Sequence, residues 1–467
     1  MDNKNKYYYF CNSNVKHYLC EMKFRELKLR MRYIAIVISL VFASSAQGHY
    51  ASSCSTNLIN RYQVADTLQN QPSDSIVKYF LLHHGVAVTY NNYVDILESG
   101  REKFTDMFSE IRKAKKFVHL EYFNFRNDSI ANALFDLLSQ KVKEGVQVRA
   151  LFDDFGNWSN NQPLRNSDLK KIRKEGIEIK KFDPIKFPYI NHVFHRDHRK
   201  IVVVDGLVGY TGGMNVADYY INGLPKIGAW RDIHLHIEGG AVYELQKIFL
   251  AMWNKSTHQN IGGDEYFPKQ NAGSLISDSL SDYCHDMQVA IVDRCPRKSP
   301  DLLRRSFVET IDAAQHSLRI VNPYFVPTTS IRRALDNAIK RGVNVEIMMS
   351  AKSDIPFTPD ASRYILHKLM KKGAKIYLYY GGFHHTKMMT VDERFCTVGT
   401  ANLNSRSLRY DYEDNAYIFN RKVTATLNTI FDSDVKDCVP LTRAYWKKLS
   451  PWRKFVAWFA NLFTPVL

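Results

Sequence analysis

The chain has 467 residues, of which 45% are hydrophobic and 24% charged, a composition that excludes a disordered or collagen-like protein. Because a chain of this length exceeds what a single core usually holds, we expect two domains. The formal net charge of +17 indicates an acidic partner, for which nucleic acid and an anionic lipid surface both qualify.

The N-terminal segment, residues 1–50, resembles a signal peptide or a short membrane anchor. Basic residues precede an apolar run from Tyr33 to Ala46, and small residues that suit cleavage follow. The run is shorter than the roughly twenty residues that span a hydrocarbon core. The polar stretch before the apolar run is longer than the N-terminal region of an ordinary signal peptide. This raises the hypothesis that translation begins at Met22 or Met31.

An internal repeat follows the leader. The strand-like run that starts at Lys116 matches one that starts at Ser317, and the helix end, glycine and strand of residues 143–150 match those of residues 340–347. Strand, helix, strand order in both halves predicts an α/β fold of two tandem domains, each with a mostly parallel sheet flanked by helices. The number of residues between matching positions of the two halves falls along the repeat, so the first half contains extra residues. We expect this insertion near Gly156 to Phe187.

The domain boundaries follow from this repeat. We place the first domain at 80–262, a linker rich in Gly, Ser and Asp at 263–285, and the second domain at 286–438. The tail, 440–467, has basic residues but no acidic ones, and its Trp and Phe residues recur at helical spacing. Such a segment suits the interfacial region of a bilayer. The alternative is a terminal helix that docks on its own domain.

Each half contains the pattern His-x-Lys-x-x-x-x-Asp. The two copies are His198, Lys200, Asp205 and His385, Lys387, Asp392. Each is followed by a small-residue turn and an asparagine. One histidine suits an attacking group, a second suits a proton donor, and two lysines suit a phosphate, so the pair of motifs predicts a phosphoryl-transfer site.

Strand geometry divides each motif. With a period of two, His198 and Lys200 share one face while Asp205 falls on the other. The same parity separates His385 and Lys387 from Asp392. We therefore expect the histidines and lysines to act and both aspartates to brace the structure.

A histidine that acts in catalysis needs a partner to orient its ring. Asp232 and Glu413 lie at matching places, each after the small-residue turn and at the head of an apolar strand. We predict that these two acids hold the two histidines. The alternative is that each is a surface acid at the start of a strand.

Phosphate contacts are predicted from the lysines and from the turns. Lys200 and Lys387 supply point charges, and the side-chain amides of Asn215 and Asn402 donate hydrogen bonds. Glycines such as Gly212 and Gly213 permit a close backbone approach. For the asparagines, a role in forming the turn is the alternative.

No metal or other cofactor is expected. The alternation Asp232-x-His234-x-His236 could suggest a metal site, but two nearby lysine ammonium groups would disfavour a divalent cation. The seven cysteines have neither a zinc-ligand spacing nor that of a disulfide framework. We expect activity that survives EDTA.

Five stretches together carry a resemblance to a known family. They are FHRDHRKIVVVDGLVGYTGGMNVADYY, WRDIHLHIEGGAVYELQKIF, NPYFVPTTSIRRALDNAIKRGVNVEIMM, HTKMMTVDERFCTVGTANLNSRS and YEDNAYIF. The chain resembles the phospholipase D superfamily, and within it the bacterial cardiolipin synthases with two motifs. The resemblance implies a pseudo-dimer in which both motifs form one active site.

The resemblance also implies a reaction. One histidine attacks a phosphatidylglycerol, the other protonates the leaving glycerol, and a second phosphatidylglycerol accepts the phosphatidyl group from a phosphohistidine. By analogy we assign His198 as the nucleophile and His385 as acid and then base. The implied partners are phosphatidylglycerol and an anionic membrane surface, at the bacterial inner membrane, with no nucleic acid.

Two features depart from the family, and other functions stay open. Members usually begin with two membrane helices, whereas this chain has one short apolar run, and Asn404 stands where an acidic residue is frequent. Hydrolysis to phosphatidic acid uses the same chemistry with water as acceptor. A nuclease would also suit the positive charge, and a silent lipid-binding protein would not need both intact motifs.

Overall fold

The computed structural model describes residues 71–185, 194–269, 286–354 and 358–462. The leader lies outside these residues, as does most of the linker that we predicted at 263–285. No helix in the described ranges has both the length and the apolar character that crossing a bilayer requires.

The described helices flank one large sheet. In chain order they are α1 (Ser73–His83), α2 (Gly100–Lys113), α3 (Ser129–Lys143), α4 (Asp154–Ser159), α5 (Asn166–Lys174), α6 (Tyr219–Asn222), α7 (Gly240–Thr257), α8 (Leu302–Ala313), α9 (Thr329–Lys340), α10 (Thr358–Lys372), α11 (Ser405–Arg409), α12 (Arg421–Asp434), α13 (Arg443–Lys448) and α14 (Pro451–Leu462). Short 3₁₀ turns occupy Asp264–Tyr266 and Val435–Asp437.

The strands of the first half are β1 (Val88–Leu97), β2 (Phe117–Tyr122), β3 (Gln147–Asp153), β4 (Glu178–Phe182), β5 (Lys200–Val204), β6 (Val208–Gly212), β7 (Ala229–Arg231) and β8 (His234–Glu238). Those of the second half are β9 (Met287–Arg294), β10 (Ser317–Val321), β11 (Asn344–Ser350), β12 (Lys375–Tyr379), β13 (Gly382–His384), β14 (Met388–Val391), β15 (Phe395–Gly399), β16 (Glu413–Phe419) and β17 (Cys438–Pro440). Fifteen of them form one sheet, in the order β17-β12-β11-β10-β14-β15-β16-β9-β1-β8-β6-β5-β2-β3-β4.

The α/β class and the repeat are confirmed, but the sheet is mixed and not mostly parallel. Parallel pairs occur in β2-β3-β4 and in β10-β11-β12, where helices connect the strands. The described neighbours from β14 to β5 across the centre run antiparallel. For β5 and β6, and for β14 and β15, the reason is the tight turn after each motif, because such a turn joins only antiparallel strands.

The extra residues of the first half lie mostly later than predicted. The strand-to-strand distance along the chain is the same 29 residues from Asp153 to Phe182 as from Ser350 to Tyr379. Residues 156–182 therefore have a counterpart, the unit of α10 and β12. Three additional residues lie between β2 and β3, because the paired Phe117 and Gln147 are 30 residues apart whereas Ser317 and Asn344 are 27 apart. Ten more lie between Phe182 and His198.

The two halves meet at the centre of the sheet. Strand β1 pairs with β9 across the junction, with a register shift between Thr89 and Asn92. The Asn92 side chain fills this irregularity, because its amide donates to Met287 O at 2.8 Å and its oxygen accepts from the Ala241 N–H at 2.8 Å. A core cluster that includes Leu235, Ile291 and Val398 continues from one half into the other.

The C-terminal tail packs on the second half. Strand β17 pairs antiparallel with β12, and the His367 ring of α10 stacks on Trp446 with centroids 4.0 Å apart. Ala457 and Ala460 of α14 are buried, and Ala460 belongs to the core cluster that contains Ala361 of α10.

Candidate active site

The first motif histidine is positioned by the second half of the chain. The His198 N–H donates to Tyr412 O at 3.0 Å, and the preceding Asp197 forms a parallel bridge with Tyr412. These contacts place Glu413, the residue after Tyr412, beside the His198 ring. His198 Nδ1 lies 3.0 Å from both carboxylate oxygens of Glu413.

The second motif repeats this arrangement with the halves exchanged. The His385 N–H donates to Arg231 O at 2.7 Å, in register with the parallel pair of β13 and β7. Asp232 then places Oδ2 2.7 Å from His385 Nδ1. Since an ionised carboxylate can only accept, each Nδ1 carries a hydrogen, and in the neutral ring Nε2 is left with its lone pair free.

Both acids are ionised although they are fully buried. Burial raises the pKa of Glu413, but the interactions with His198 and Lys200 outweigh it and hold the pKa below its ordinary value. For Asp232, His385 and Lys387 likewise outweigh burial and lower the pKa. The negative charges of Glu413 and Asp232 are therefore stabilised by the histidine and lysine residues of the two motifs.

The lysines lie beneath the histidines. Lys200 Nζ donates to His198 O and Lys387 Nζ donates to His385 O, both at 2.5 Å. Burial lowers the pKa of Lys200 to about 8. Burial and the charge of Lys200 together lower the pKa of Lys387 to about 7, against the opposing effect of Asp232. The two lysines thus repel one another within one site, and an anion between them would relieve that repulsion.

Burial keeps the two histidines neutral at pH 7. It lowers the pKa of His198 against the opposing charge of Glu413. Burial and the adjacent Lys387 lower the pKa of His385 to about 3. A neutral ring with Nε2 unprotonated can act as a nucleophile or a base, but it needs a proton before it acts as an acid.

Aromatic rings that were not predicted from the sequence lie beside the histidines, one at His198 and several at His385. The Phe123 ring lies 5.1 Å from His198, measured between centroids. His385 has Phe383 at 5.6 Å, Trp230 at 5.7 Å and Tyr324 at 6.2 Å. Phe123 follows β2 and Tyr324 follows β10, at related places in the repeat, which is the signal that could have identified them. These rings limit the access of water to the histidines.

The motif aspartates bond to backbone and not to the histidines. Asp205 accepts from the N–H groups of residues 115–117 at 2.7–2.8 Å, and Asp392 accepts from those of residues 315–317 at 2.7–2.9 Å. Both adopt positive φ, 53° and 49°. Strand β5 begins at Lys200 and not at His198, so the alternation of strand faces does not by itself separate Asp205 from His198. The two aspartates hold the starts of β2 and β10.

The glycines make room for the orienting acid. A Cβ on Gly213 would lie 2.2 Å from Asp232 Oδ1, and one on Gly212 would lie 2.7 Å from His234 Nδ1. A backbone approach to phosphate at these glycines remains a prediction. The Oδ1 atoms of Asn215 and Asn402 are buried and have no hydrogen-bond partner among the described residues, so neither oxygen closes a turn.

Two further residues near the site escaped the sequence analysis. Thr400 Oγ1 donates to Glu413 Oε2 at 2.6 Å. Lys103 is fully buried, with Nζ 3.3 Å from Asn215 O, and its charge interacts with that of Asp232. In the sequence Lys103 is one charged position of an amphipathic helix, so no pattern distinguishes it from a solvated lysine.

His234 and His236 do not converge. His234 Nδ1 accepts from the Met214 N–H at 3.4 Å, whereas His236 bonds Asp106 at 2.8 Å and Glu238 at 3.2 Å. Within the described ranges there is no group of three His, Cys, Asp or Glu residues that could hold a metal ion. Asn404 accepts from the Ser407 N–H at 2.9 Å and caps α11.

Comparison with known proteins gives concordant matches. A family model described as "Cardiolipin synthase, PLD-like domain" matches residues 107–253 and 307–435. A cardiolipin synthase of Oceanobacillus iheyensis is 35% identical over 403 residues, which cover 85% of this chain and 81% of that protein. A cardiolipin synthase of Staphylococcus aureus is 34% identical over 395 residues, 84% of this chain and 77% of that protein.

A solved structure is similar in fold. The phosphatidylserine synthase of Haemophilus influenzae superposes with a TM-score of 0.62 and 15% sequence identity, covering 81% of this chain and 97% of that one. At this identity the similarity concerns the architecture alone.

Proposed function

Because the chain belongs to the cardiolipin synthase family of phospholipase D-like phosphatidyltransferases, we propose that it joins two phosphatidylglycerol molecules into cardiolipin and glycerol. The observation that carries the proposal is the exchange of orienting acids, Glu413 to His198 and Asp232 to His385. Two equivalent, oppositely placed histidines suit a reaction with two displacements at one phosphorus.

In the first displacement, His198 Nε2 attacks phosphorus and the bond from phosphorus to the terminal glycerol oxygen breaks. His385 gives its Nε2 proton to that oxygen, and glycerol leaves. In the second, His385 takes the proton of a glycerol hydroxyl on another phosphatidylglycerol. That oxygen attacks phosphorus, the bond from phosphorus to His198 breaks, and cardiolipin leaves.

The charges support this order of events. His385 is neutral in the free protein, so it must gain a proton when the phosphodiester binds, and the anionic lipid together with Asp232 favours that proton. Lys200 and Lys387 stabilise the charge that develops on the phosphoryl oxygens. The bound anion in turn raises the pKa of both lysines, so that they stay charged.

The enclosed site favours an alcohol over water as the acceptor. His198 and His385 have side chains only 15% and 8% exposed; the Phe123 ring packs beside His198, and several rings pack around His385. A dry site protects the phosphohistidine from hydrolysis until a second lipid enters. We place the enzyme at the bacterial inner membrane, where both lipids occur together.

A product assay tests the proposal. Purified protein receives labelled phosphatidylglycerol with EDTA present, and the expected products are cardiolipin and glycerol. Phosphatidic acid as the main product would indicate a hydrolase and contradict the synthase. DNA cleavage without lipid turnover would indicate a nuclease.

Denaturation at alkaline pH, which preserves the P–N bond of a phosphohistidine, tests the assignment of the two histidines. Label trapped during turnover should appear in the peptide that contains His198, and the variant His385→Ala should lose turnover without gaining label elsewhere. Label on His385 would reverse the two roles.

A further inference from the structure

The C-terminal helix has two unlike faces. Ala457 and Ala460 are buried on the α10 side, and the helix axis puts them about half a turn from Trp452, Phe455 and Trp458. Those three rings are 70%, 47% and 44% exposed. Trp452 stacks on Phe455 at 5.6 Å and Phe455 packs beside Trp458 at 5.8 Å, so they form one aromatic patch. One face of the tail thus docks on its own domain, as the alternative in the sequence analysis expected, and the aromatic patch faces outward.

The surroundings of the aromatic patch are basic. Arg443, Lys447, Lys448 and Arg453 are exposed, and residues 441–462 contain no acidic residue. Helices that lie in the headgroup region of a bilayer typically combine Trp and Phe rings with nearby lysines and arginines. At 12 residues, α14 is shorter than the roughly twenty residues of a spanning helix, so its place is in the interface.

We propose that α13 and α14 form a docking surface for an anionic phospholipid bilayer, with the aromatic patch inserted among the lipid headgroups. Charge complementarity selects this occupant. A second copy of the chain would present the same basic surface, and the leader of this chain is basic before its apolar run. Either occupant would therefore be repelled by the basic residues of α13 and α14. The proposal does not depend on the reaction, since docking is measured without turnover.

The docking surface also connects to the active site. Helix α10, on which α14 packs, follows the segment that contains Asp354, and Asp354 accepts from Tyr324 Oη at 2.5 Å. The Tyr324 ring packs beside His385. Docking through α14 thus holds the half that carries the second motif against the lipid surface.

Quenching of tryptophan fluorescence tests the surface in the full chain. Vesicles of equal parts phosphatidylglycerol and phosphatidylcholine carry brominated acyl chains, which quench rings that enter the bilayer. We expect quenching that the double variant Trp452→Phe, Trp458→Phe removes. The matched control is Trp158→Phe, because Trp158 is 59% exposed and lies outside the surface; it should leave the quenching unchanged. Quenching that persists in the double variant, or that is absent from the unmodified chain, overturns the proposal.

A second variant tests the charge. The triple variant Lys447→Glu, Lys448→Glu, Arg453→Glu should show less quenching and at least about ten-fold weaker vesicle binding. The unmodified chain should show the same two losses with vesicles of pure phosphatidylcholine. Turnover of a short-chain soluble lipid should be unchanged in the variant while turnover of vesicle lipid falls. Equal binding to both kinds of vesicle, or a chain dimer that the aromatic variant dissociates, would contradict a bilayer as the occupant.

Discussion

At the scale of single residues, the motif histidines depend on acids that lie outside the motif. Glu413 contacts His198 and Asp232 contacts His385, while the motif aspartates bond to backbone. Both acids are predictable from their matching places in the repeat. Which acid contacts which histidine is not, because each half has one acid and one histidine and only the contact between the halves decides.

Glu413→Gln should lower kcat by about 10²- to 10⁴-fold, because the neutral amide no longer stabilises the protonated ring or fixes its tautomer. The measurement is turnover of labelled phosphatidylglycerol together with the thermal midpoint. The control is Asp205→Asn, which should lower the midpoint and leave kcat nearly intact, since Asp205 contacts only backbone. Equal loss of turnover in both variants would argue against the separation of roles.

The buried lysines predict a pH dependence of activity. Lys200 and Lys387, with pKa values near 8 and 7, lose their charge as pH rises through this range. We therefore expect kcat/KM, which reports the free enzyme, to fall between pH 7 and 9. A pH profile with a soluble short-chain lipid checks this, and a flat profile over the range would contradict it.

The same lysines make the opposite contribution to stability. Their folded pKa values lie below the unfolded value of 10.5, so between about pH 7 and 10.5 the unfolded chain binds more protons. Their contribution to the free energy of unfolding therefore rises with pH in this window. Urea unfolding at pH 7 and 9 should show a smaller rise for Lys387→Met than for the unmodified chain or for the exposed control Lys371→Met.

At the scale of elements, two short parallel contacts position the site. The pair of β7 and β13 aligns Arg231 with His384, and the bridge between Asp197 and Tyr412 does the same for the other motif. Each contact places a histidine and an acid one residue further along. These contacts join segments more than 150 residues apart, so periodicity within either segment does not predict them.

Gly382→Ala should disturb the site through β13. Gly382 has a φ of 146°, and a Cβ there would lie 2.2 Å from Ala229 O, so the pair of β7 and β13 would separate and move His385. We expect kcat to fall by about 10- to 100-fold, as for other small displacements of reacting groups.

The matched control is Gly342→Ala. Gly342 has a φ of 88°, and a Cβ would meet nothing within 4 Å. This variant should lower the free energy of unfolding by about 1–2 kcal/mol, the cost of a Cβ in the left-handed region, without changing kcat. Turnover and the thermal midpoint distinguish the two effects, and an unchanged kcat in Gly382→Ala would show that the strand pair is not needed.

At the scale of the whole molecule, the repeat builds one sheet and not two separate ones. Strands β16, β9, β1 and β8 are successive neighbours across the junction, and the buried Arg199 of the first half bonds to the Asp293 carboxylate of the second. The continuous sheet and the shared core cluster couple the halves mechanically as well as through the active site.

We expect residues 71–462 to unfold in one cooperative transition, because separation of the halves would expose the edges of β1 and β9 and the core cluster between them. Calorimetry should give one peak, and loss of turnover should coincide with it. Two resolved peaks, with turnover lost at the first, would mean that each half is stable alone.

Much of the protein follows from the sequence by itself. Apolar periodicity and the repeat determine the α/β class, the tandem halves and the strands β2 and β10, since these depend on neighbours along the chain. Residue chemistry at fixed spacing identifies the histidines and lysines, and matching places in the repeat identify both acids.

Only the tertiary structure decided how these parts combine. It made the sheet mixed and continuous, placed most of the extra residues of the first half after Phe182, exchanged the acids between halves, and packed aromatic rings beside the histidines. Each of these outcomes depends on contacts between segments far apart in the chain. Such contacts are selected by packing and by the pairing of buried polar groups, which no local pattern of residues specifies.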